Sequence, residues 1–251
     1  MARAIVVEDL VKQFTLRHTR SMKEYVVWNL RGRGGELSDT FLALDHVNLT
    51  VEQGESVGLL GLNGSGKSTL LKLISGVMRP DRGRIGVRGR VAGLIEVGAG
   101  FHPDLTGREN IFLNGSILGM TERDIAQRLD EIIAFSEIER FIDTEVKFYS
   151  SGMFLRLAFS VAAHSHPDVF LIDEILAVGD EPFQRKCLAR IEQLRGEGQT
   201  LVIVTHDLNL VNQVAERGIV LAAGKVVHDG TIDSAVQRLR GGGATEGPAE
   251  G

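Results

Sequence analysis

The chain has 251 residues, of which 43% are hydrophobic and 24% are charged, both close to the averages of soluble globular proteins. This composition excludes fibrous and mainly disordered proteins, and the length fits one large domain or a domain with an inserted subdomain. The formal net charge is only −5, so no overall basic field indicates a nucleic-acid partner.

The apolar runs of the chain are too short for a signal peptide or a membrane-spanning helix. Residues 4–7 meet two acidic residues, and residues 219–223 are among the longest apolar runs, against roughly 18 to 20 residues for a span. The single cysteine, Cys187, excludes an internal disulfide and a cysteine-based metal site, as in a reducing cytoplasm. We therefore expect another chain to supply any membrane span.

The N-terminal third predicts strands, a glycine-rich loop and one helix. Partial alternation of apolar and polar residues indicates half-buried strands over 4–10 and 44–51, and a short apolar strand follows over 55–60. Helical spacing continues over 67–76, which ends on a glycine suited to a C-cap. Short strands separated by glycines are predicted over 84–95.

Residues 107–166 are mostly helical by pattern. Thr121 and Asp124 fit a capping box at the start of one helix, and a second helix is predicted over 153–163. The segments that follow are a strand over 169–172, a helix over 182–194, a strand over 201–204, a helix over 208–215 and two strands flanking Gly224. This alternation predicts an α/β fold with a mostly parallel sheet and an inserted α-helical subdomain.

Residues 61–68 read GLNGSGKS, the phosphate-loop pattern G-x-x-x-x-G-K-[ST], between a predicted strand and a predicted helix. The glycines let backbone N–H groups surround phosphate oxygens, and the helix N-terminus adds a favourable dipole. We expect Lys67 to contact the β- and γ-phosphates and Ser68 to bind Mg²⁺. The expected nucleotide-binding residues are Gly61, Asn63, Gly64, Ser65, Gly66, Lys67, Ser68 and Thr69.

Two carboxylates follow the apolar strand predicted over 169–172. Asp173 suits a Mg²⁺ shell, and Glu174 is placed to polarise an attacking water. Two acids after a strand are often only a solvated loop. Together with the phosphate loop, however, they predict nucleotide hydrolysis.

With these motifs the chain resembles the ATP-binding-cassette (ABC) ATPases. Residues 149–156, YSSGMFLR, are similar to a variant of the family signature LSGGQxxR, and they precede the paired acids as in that family. The resemblance implies that Ser150, Ser151 and Gly152 complete the nucleotide site of a partner protomer. It also assigns Asp180 to the D-loop and His206 to the switch histidine, so that the implied catalytic residues are Lys67, Glu174 and His206.

Within this family, residues 91–110, YSSGM and LIDEILAVGD look like those of ATPase subunits from bacterial polysaccharide exporters. The resemblance covers nearly all of residues 1–240 and implies a P-loop NTPase fold with a RecA-like sheet, an antiparallel β-subdomain and a helical signature subdomain. The corresponding ranges are 1–106 and 167–240 for the core, 107–166 for the helical subdomain and 241–251 for a disordered tail. We expect the C-terminal carbohydrate-binding domain of some such exporters to be missing here.

The function implied by this resemblance is that of a homodimeric, Mg²⁺-dependent ATPase at the cytoplasmic face of the cell membrane. Two such chains would drive two copies of an integral permease that exports a polysaccharide, often linked to a polyprenyl lipid. ATP bound to one protomer is closed over by the signature of the other. The implied cofactors are ATP and Mg²⁺, with no nucleic acid as a partner.

The chain departs from the broad family at two motifs. Glu96 stands where most cassettes have the Q-loop glutamine, so it either ligates Mg²⁺ through water or stays withdrawn until the subunits close; the alternative is an exposed loop acid. In the signature, Ser151 and Met153 replace a glycine and the glutamine. Ser150 and Gly152 keep the hydroxyl and the close backbone approach, so we expect ATPase activity.

An insertion over 15–40 separates two aromatic residues, Phe14 and Phe41, either of which could stack on adenine or simply pack in the core. The insertion itself is basic and also contains Trp28, the only tryptophan, a mixture that suits a membrane interface. Its basic residues are Arg17, Arg20, Lys23, Arg31 and Arg33. We predict that it guides or senses an anionic, lipid-linked substrate, the alternative being a solvated hairpin.

Two other functions fit a cassette of this kind. Soluble cassette ATPases that act on ribosomes or DNA usually carry two cassettes or long coiled-coil insertions, and the sequence shows neither. A cassette that imports a small solute is disfavoured by the Glu96 loop and the basic insertion. The type of permease that co-purifies with the chain distinguishes import from export.

Overall fold

The computed structural model of the protein describes residues 2–17, 38–93, 100–173, 180–205 and 207–241. The strands are β1 (Arg3–Arg17), β2 (Ser38–Glu52), β3 (Ser56–Leu60), β4 (Arg82–Val87), β5 (Val91–Gly93), β6 (Val169–Ile172), β7 (Thr200–Ile203), β8 (Arg217–Ala222) and β9 (Lys225–Thr231). The helices are α1 (Lys67–Ile74), α2 (Gly107–Ile117), α3 (Glu122–Ser136), α4 (Ser151–Ala163), α5 (Glu181–Gly196), α6 (Leu208–Val214) and α7 (Ile232–Gly241).

The larger sheet has the strand order β5-β6-β7-β3-β8-β9, in which every neighbouring pair is parallel except β8 and β9. Every residue of β3, β6 and β7 is buried. Because helices and a second sheet cover both faces, these strands are continuous apolar runs rather than alternating ones. The mostly parallel sheet predicted from the sequence is confirmed.

A second, antiparallel sheet has the order β2-β1-β4. Its apolar face packs with α1 and one face of the larger sheet in a common core that includes Ile5, Leu44 and Leu71. The opposite face of the larger sheet is covered by α4, α5, α6 and α7 in two further apolar clusters. The antiparallel β-subdomain is therefore confirmed as part of the fold.

The strands β1 and β2 are longer than predicted. Their antiparallel pairing continues through Thr15 with Thr40 to Arg17 with Ser38. The insertion predicted over 15–40 is therefore too wide at both ends, since its first and last three residues belong to this hairpin. Residues 18–37, which include Arg20, Lys23, Trp28, Arg31 and Arg33, lie outside the described residues.

The helices α2, α3 and α4 lie between β5 and β6 in the chain and have an apolar core of their own around Ile111, Ile132 and Leu157. The predicted capping box of Thr121 and Asp124 is present at the start of α3. A second capping box, which the sequence analysis overlooked, joins Thr106 and Glu109 at the start of α2. The inserted helical subdomain is confirmed.

Helix α7 follows the last strand and was not predicted. It packs closely on the larger sheet, because a Cβ atom at Gly218 would lie 2.4 Å from the Cβ of Ala235, and one at Gly58 would lie 3.0 Å from Ile232 Cδ1. The tail predicted over 241–251 begins inside this helix by one residue, and residues 242–251 lie outside the described part of the chain. None of the described helices is long and apolar enough to span a bilayer.

Candidate nucleotide-binding site

The candidate site lies at the edge of the larger sheet where β3, β6 and β7 end. Gly58 of β3 pairs with Ile203 of β7, which in turn pairs with Ile172 of β6. Because the three strands are parallel, their carboxyl ends meet at one edge, which is where open α/β sheets bind ligands. The phosphate loop after β3 and Asp173 after β6 are therefore brought to the same side of the sheet.

The phosphate loop leaves the N-terminus of α1 open to an anion. Its last glycine, Gly66, is the N-cap of α1 and has a positive φ of 106°, and no side chain caps the helix. A Cβ atom there would lie 2.5 Å from the carbonyl oxygen of Ala43 in β2, so only glycine fits. The first N–H groups of α1 remain available to phosphate oxygens.

The charged and hydroxyl groups of the loop also fit a bound phosphate. The Lys67 side chain is buried, and its Nζ donates hydrogen bonds to the carbonyl oxygens of Gly61 (2.8 Å) and Leu62 (3.0 Å). The Ser65 hydroxyl is buried and has no hydrogen-bond partner among the described residues. A buried polar group without a partner is costly unless a ligand or water satisfies it, so this hydroxyl fits a phosphate ligand.

The other predicted loop residues are more accessible. Asn63, Gly64 and Ser68 are exposed and Thr69 is half-buried. Two clefts, of about 440 and 640 Å³, open beside Leu62 and Asn63. Leu239 of α7 lines both clefts, and neither is lined by a signature residue.

The predicted metal and catalytic residues are only partly within the described chain. Asp173 is half-buried directly after β6, at the same sheet edge as the loop. Its carboxylate and the Ser68 hydroxyl are oxygen ligands of the kind that Mg²⁺ prefers. Glu96, Glu174 and His206 lie outside the described residues.

The signature lies at the N-terminus of α4. Ser150 is exposed and is the N-cap of this helix, where its hydroxyl oxygen accepts a hydrogen bond from the Met153 N–H at 3.2 Å. Ser151 is also exposed, and within the described part of the chain a Cβ atom at Gly152 would approach only the Ser150 hydroxyl, at 3.9 Å. This helix terminus can therefore be approached closely from outside.

The last signature residue, Arg156, connects the helical subdomain to the core. Its guanidinium is bonded to Glu137 at 2.8 Å and to Asp180 at 2.5 Å, and it lies 4.6 Å from the centre of the Phe183 ring. Asp180, predicted as the D-loop aspartate, is the N-cap of α5. The sequence gives no sign of this junction, because Glu137 and Asp180 are 19 and 24 residues from Arg156 in the chain and follow no local pattern.

Tyr149 anchors the residue before the signature serine. Its hydroxyl donates a hydrogen bond to the carbonyl oxygen of Phe141 at 2.8 Å. Burial raises the pKa of Tyr149 to about 12. The phenol therefore stays neutral, and a donor, throughout the physiological pH range.

The two candidate adenine-stacking rings form one pair. Phe14 and Phe41 are directly opposite each other in β1 and β2, with ring centroids 5.6 Å apart and an interplanar angle of 25°. Phe41 remains 47% exposed. Phe41 lies on β2, which continues to Ala43, and the Ala43 carbonyl oxygen abuts the Gly66 position, so Phe41 is on the strand that borders the phosphate loop.

A glycine-rich loop between a central strand and a helix, with an acid-tipped strand two positions away, defines a phosphate-loop nucleotide-binding domain. The ABC transporter family model matches residues 44–177, more than half of the chain. The protein therefore belongs to the ABC transporter family. Membership confirms the predicted fold class and implies ATP binding.

Two relatives are named as ATP-binding proteins of export systems. The chain is 50% identical to the O-antigen export system ATP-binding protein RfbB of Myxococcus xanthus, over 84% of this chain and 49% of that protein. It is 38% identical to the teichoic acids export ATP-binding protein TagH of Bacillus cereus, over 90% of this chain and 42% of that protein. The chain thus spans less than half the length of these two relatives.

Among solved structures, a dimeric bacterial ABC transporter cassette matches with a TM-score of 0.71 and 25% identity. The match covers 91% of this chain and 98% of that cassette. The two sheets and the helical subdomain described above are therefore the architecture of a whole cassette.

Proposed function

We propose that the chain is the ATP-hydrolysing subunit of an ABC exporter that moves a lipid-linked polysaccharide across the cell membrane. The proposal rests on one combined observation. The chain has a phosphate-binding loop, and it is extensively similar to two ATP-binding proteins that are named for the export of two different polymers, O-antigen and teichoic acids. Since those polymers differ, the proposal names the substrate class and leaves the sugar open. The subunit works peripherally, on the cytoplasmic face, with two permease copies.

In the proposed reaction, the loop N–H groups and Lys67 hold the β- and γ-phosphates. When bound, Mg²⁺ supplies positive charge that offsets the charge developing on the phosphate oxygens. Ser68 and Asp173 are its proposed protein ligands, with Glu96 reaching it through water. Glu174 accepts a proton from the water that attacks the γ-phosphorus, so that ADP and phosphate leave.

The proposed site needs two protomers. The signature terminus of α4 opens outward, and it lines neither cleft beside the phosphate loop of its own chain. A second copy would present Ser150, Ser151 and Gly152 to the γ-phosphate, where a helix N-terminus stabilises negative charge. Asp180 and His206 would act at the same interface, His206 on the γ-phosphate.

Adenine is proposed to stack on the pair formed by Phe14 and Phe41. The partial exposure of Phe41 and its position on the strand that borders the loop support this role. Because the rings already stack on each other, Phe41→Ala should weaken binding of ATP and also remove the support of Phe14. Loss of one ring at a stacking site costs about 1 to 3 kcal/mol.

Two further proposals concern residues outside the described chain. Glu96 is proposed to act in coupling, so Glu96→Ala should retain ATP binding and lose export. The basic insertion is proposed to guide the anionic substrate, so neutralising Arg17, Arg20 and Lys23 together should reduce export without lowering the ATPase activity of the isolated subunit. Normal export in either variant would contradict the corresponding proposal.

The central experiment combines hydrolysis, partner identification and export. Mg²⁺-dependent ATPase activity is measured on the purified chain, on Lys67→Met and on Lys72→Met, a lysine in the same helix outside the loop. We expect activity in the wild type and in Lys72→Met only. The complex is then isolated from membranes, and deletion of the gene should leave a lipid-linked glycan in the cytoplasmic leaflet.

Two outcomes would contradict the proposal. Equal loss of ATPase activity in Lys67→Met and Lys72→Met would show that the phosphate loop has no specific role in hydrolysis. Co-purification with an importer permease, or normal surface glycan after deletion of the gene, would contradict the proposed role in polysaccharide export but not the proposed ATP hydrolysis.

A further inference from the structure

A fully buried amide side chain, that of Asn110 in α2, is outside the phosphate loop and outside the signature. Its exposed fraction is 0%. Its Oδ1 accepts a hydrogen bond from the His102 N–H at 2.7 Å, and its Nδ2 donates to the carbonyl oxygens of His102 (3.0 Å), Leu105 (3.0 Å) and Thr106 (2.9 Å). The side chain thus fixes the shape of residues 102–106, the loop that precedes α2.

This loop is in turn bonded to the segment that leads into the signature. The N–H groups of Val146 and Lys147 donate to the carbonyl oxygens of Leu105 and Pro103, both at 2.9 Å. Next to the contact of Val146 with Leu105, Thr106 and Glu145 form an antiparallel bridge. Neither segment has other regular strand partners among the described residues, so each holds the other in place.

The contact between the loop 102–106 and the segment before the signature continues into the start of α2 and reaches Tyr149. The Gly107 and Arg108 N–H groups donate to the carbonyl oxygens of Thr144 and Ile142. The space above Gly107 is filled by the Tyr149 hydroxyl, which would lie 2.1 Å from a Cβ atom there. Tyr149 directly precedes Ser150, so the contact reaches the signature itself.

We propose that Asn110 is a positioning residue for the signature, which it holds in register with the loop 102–106. The loop has no regular secondary structure of its own. The Leu105 carbonyl oxygen accepts from both Asn110 and Val146. The Pro103 carbonyl oxygen, which accepts from Lys147, is held through the loop positions on either side that Asn110 bonds. With the Asn110 amide in place, the loop and the signature move as one body, so that a displacement of the loop also displaces Ser150. The catalytic meaning of this coupling rests on the proposed function, in which Ser150 acts on ATP bound to a second copy.

Amide hydrogen exchange on the full-length chain tests the proposal without requiring ATPase activity. In the wild type, the Val146 and Lys147 amides should open together with the His102 amide and show the same opening free energy. In Asn110→Ala, these amides should exchange about 10- to 100-fold faster, as expected when buried hydrogen bonds are lost. The amides of α3, in the same subdomain, should change little.

Ser136→Ala is the matched control. Ser136 is also completely buried in the helical subdomain, but among the described residues its hydroxyl donates a hydrogen bond only to the carbonyl oxygen of Ile133 in its own helix. It should leave the exchange at residues 146 and 147 unchanged. In the ATPase assay, Asn110→Ala should lower kcat with little change in ATP affinity, and Ser136→Ala should affect neither.

Several results would overturn the proposal. These are unequal opening free energies in the wild type, a uniform increase in exchange throughout the subdomain of Asn110→Ala, or the same local increase in Ser136→Ala. Should Asn110→Ala fail to fold, the wild-type comparison still decides whether the two segments open together. A chain without ATPase activity would contradict the proposed function, whereas the exchange pattern would still decide the coupling.

Discussion

The phosphate loop and the signature are both glycine-containing turns that lead into a helix, yet they are held in opposite ways. The loop is enclosed by distant parts of the chain, since Gly66 abuts Ala43 of β2 and the Gly224 N–H donates to the Ser65 carbonyl oxygen. The signature is supported from behind by its own subdomain and is open in front, where little approaches Gly152.

In the proposed function, this difference separates a half-site that is complete in one chain from a half-site that acts on a nucleotide bound to a second copy. Because backbone oxygens occupy the space beside Gly61 and Gly66, the two ends of the loop cannot shift without strain, so the loop is already shaped for phosphate before a ligand arrives. A signature backed by hydrogen bonds and open in front can approach a nucleotide on a second copy. Substitutions should therefore impair binding at the first region and hydrolysis at the second.

The largest effect is expected from Glu174→Gln, a substitution outside both the phosphate loop and the signature, which separates hydrolysis from nucleotide binding. The variant should bind Mg-ATP, because the loop and Lys67 are intact, while turnover falls by roughly 10²- to 10⁴-fold, as for loss of a general base. Equilibrium binding and steady-state ATPase assays measure the two quantities. Unchanged turnover would remove Glu174 from the mechanism.

Ser150→Arg tests the open front of the signature. A bulky cation there should block the approach of a second copy and reduce hydrolysis by about 10²-fold, comparable with loss of a donor to a developing anion, while ATP affinity stays unchanged. Thr121→Arg is the control, because it removes the N-cap of α3 in the same subdomain at a cost of about 0.5 to 2 kcal/mol. Equal losses of ATPase activity in the two variants would indicate a structural effect only.

Gly66→Ala tests the enclosed loop. The new methyl group would collide with Ala43, so ATP affinity should fall by at least about tenfold, or about 1.4 kcal/mol. In Gly76→Ala, the φ of 79° is also positive but no atom lies within 4 Å of the new Cβ, so stability should fall and ATP affinity should not. Calorimetry measures the ATP affinity of each variant, and thermal melting measures its stability. Equal losses of ATP affinity in Gly66→Ala and Gly76→Ala would contradict the interpretation that the loop is enclosed at Gly66.

The smallest expected effect is a pH dependence of stability, and it comes from a group outside both the phosphate loop and the signature. Burial lowers the pKa of His164 below 6.5, and its Nδ1 lies 2.7 Å from the Ser160 carbonyl oxygen. The unfolded chain therefore binds this proton more readily, so stability is complete above about pH 6.5 and is lost as the pH falls through the folded pKa. One proton contributes at most about 1.4 kcal/mol per pH unit.

Urea unfolding between pH 5 and 8 should show a smaller acid loss of stability in His164→Gln than in the wild type. The relevant neighbour is Arg190, whose positive charge lowers the pKa of His164 further. An unchanged pH profile in His164→Gln would assign the acid loss to other groups.

The sequence predicted the parts of this molecule that depend on local pattern. Apolar runs such as β6, the capping box at Thr121 and the phosphate-loop motif each carry their signal within a few neighbouring residues. The extension of β1 to Arg17 was missed because it depends on pairing with Ser38, across residues for which no local pattern indicated a turn. Helix α7 was not predicted, because residues 225–231 and the glycine-rich end of the chain indicated a strand followed by a tail. Its apolar residues nevertheless recur at helical spacing, at Ile232, Ala235, Val236 and Leu239.

The residues of the candidate site also divide into those that a local sequence pattern predicts and those that depend on long-range contacts. Lys67 and Asp173 could be placed from motif and strand context alone. The bond between Arg156 and Asp180 and the burial of Asn110 arise from contacts between segments far apart in sequence, and no residue spacing encodes such contacts. The stacking of Phe14 on Phe41 also required the register of the hairpin, which the sequence left open.

The central position of β3 in the larger sheet has a consequence for biosynthesis. This strand, which carries the phosphate loop, is flanked by β7 and β8, and β8 is made roughly 150 residues after it, or about 8 to 30 s later at ordinary rates of translation. During that interval its apolar residues have no permanent sheet neighbours, whereas the β1–β2 hairpin and the helical subdomain are built from segments closer in sequence. The phosphate loop therefore reaches its final sheet environment only late in synthesis, after the β1–β2 hairpin and the helical subdomain have been made.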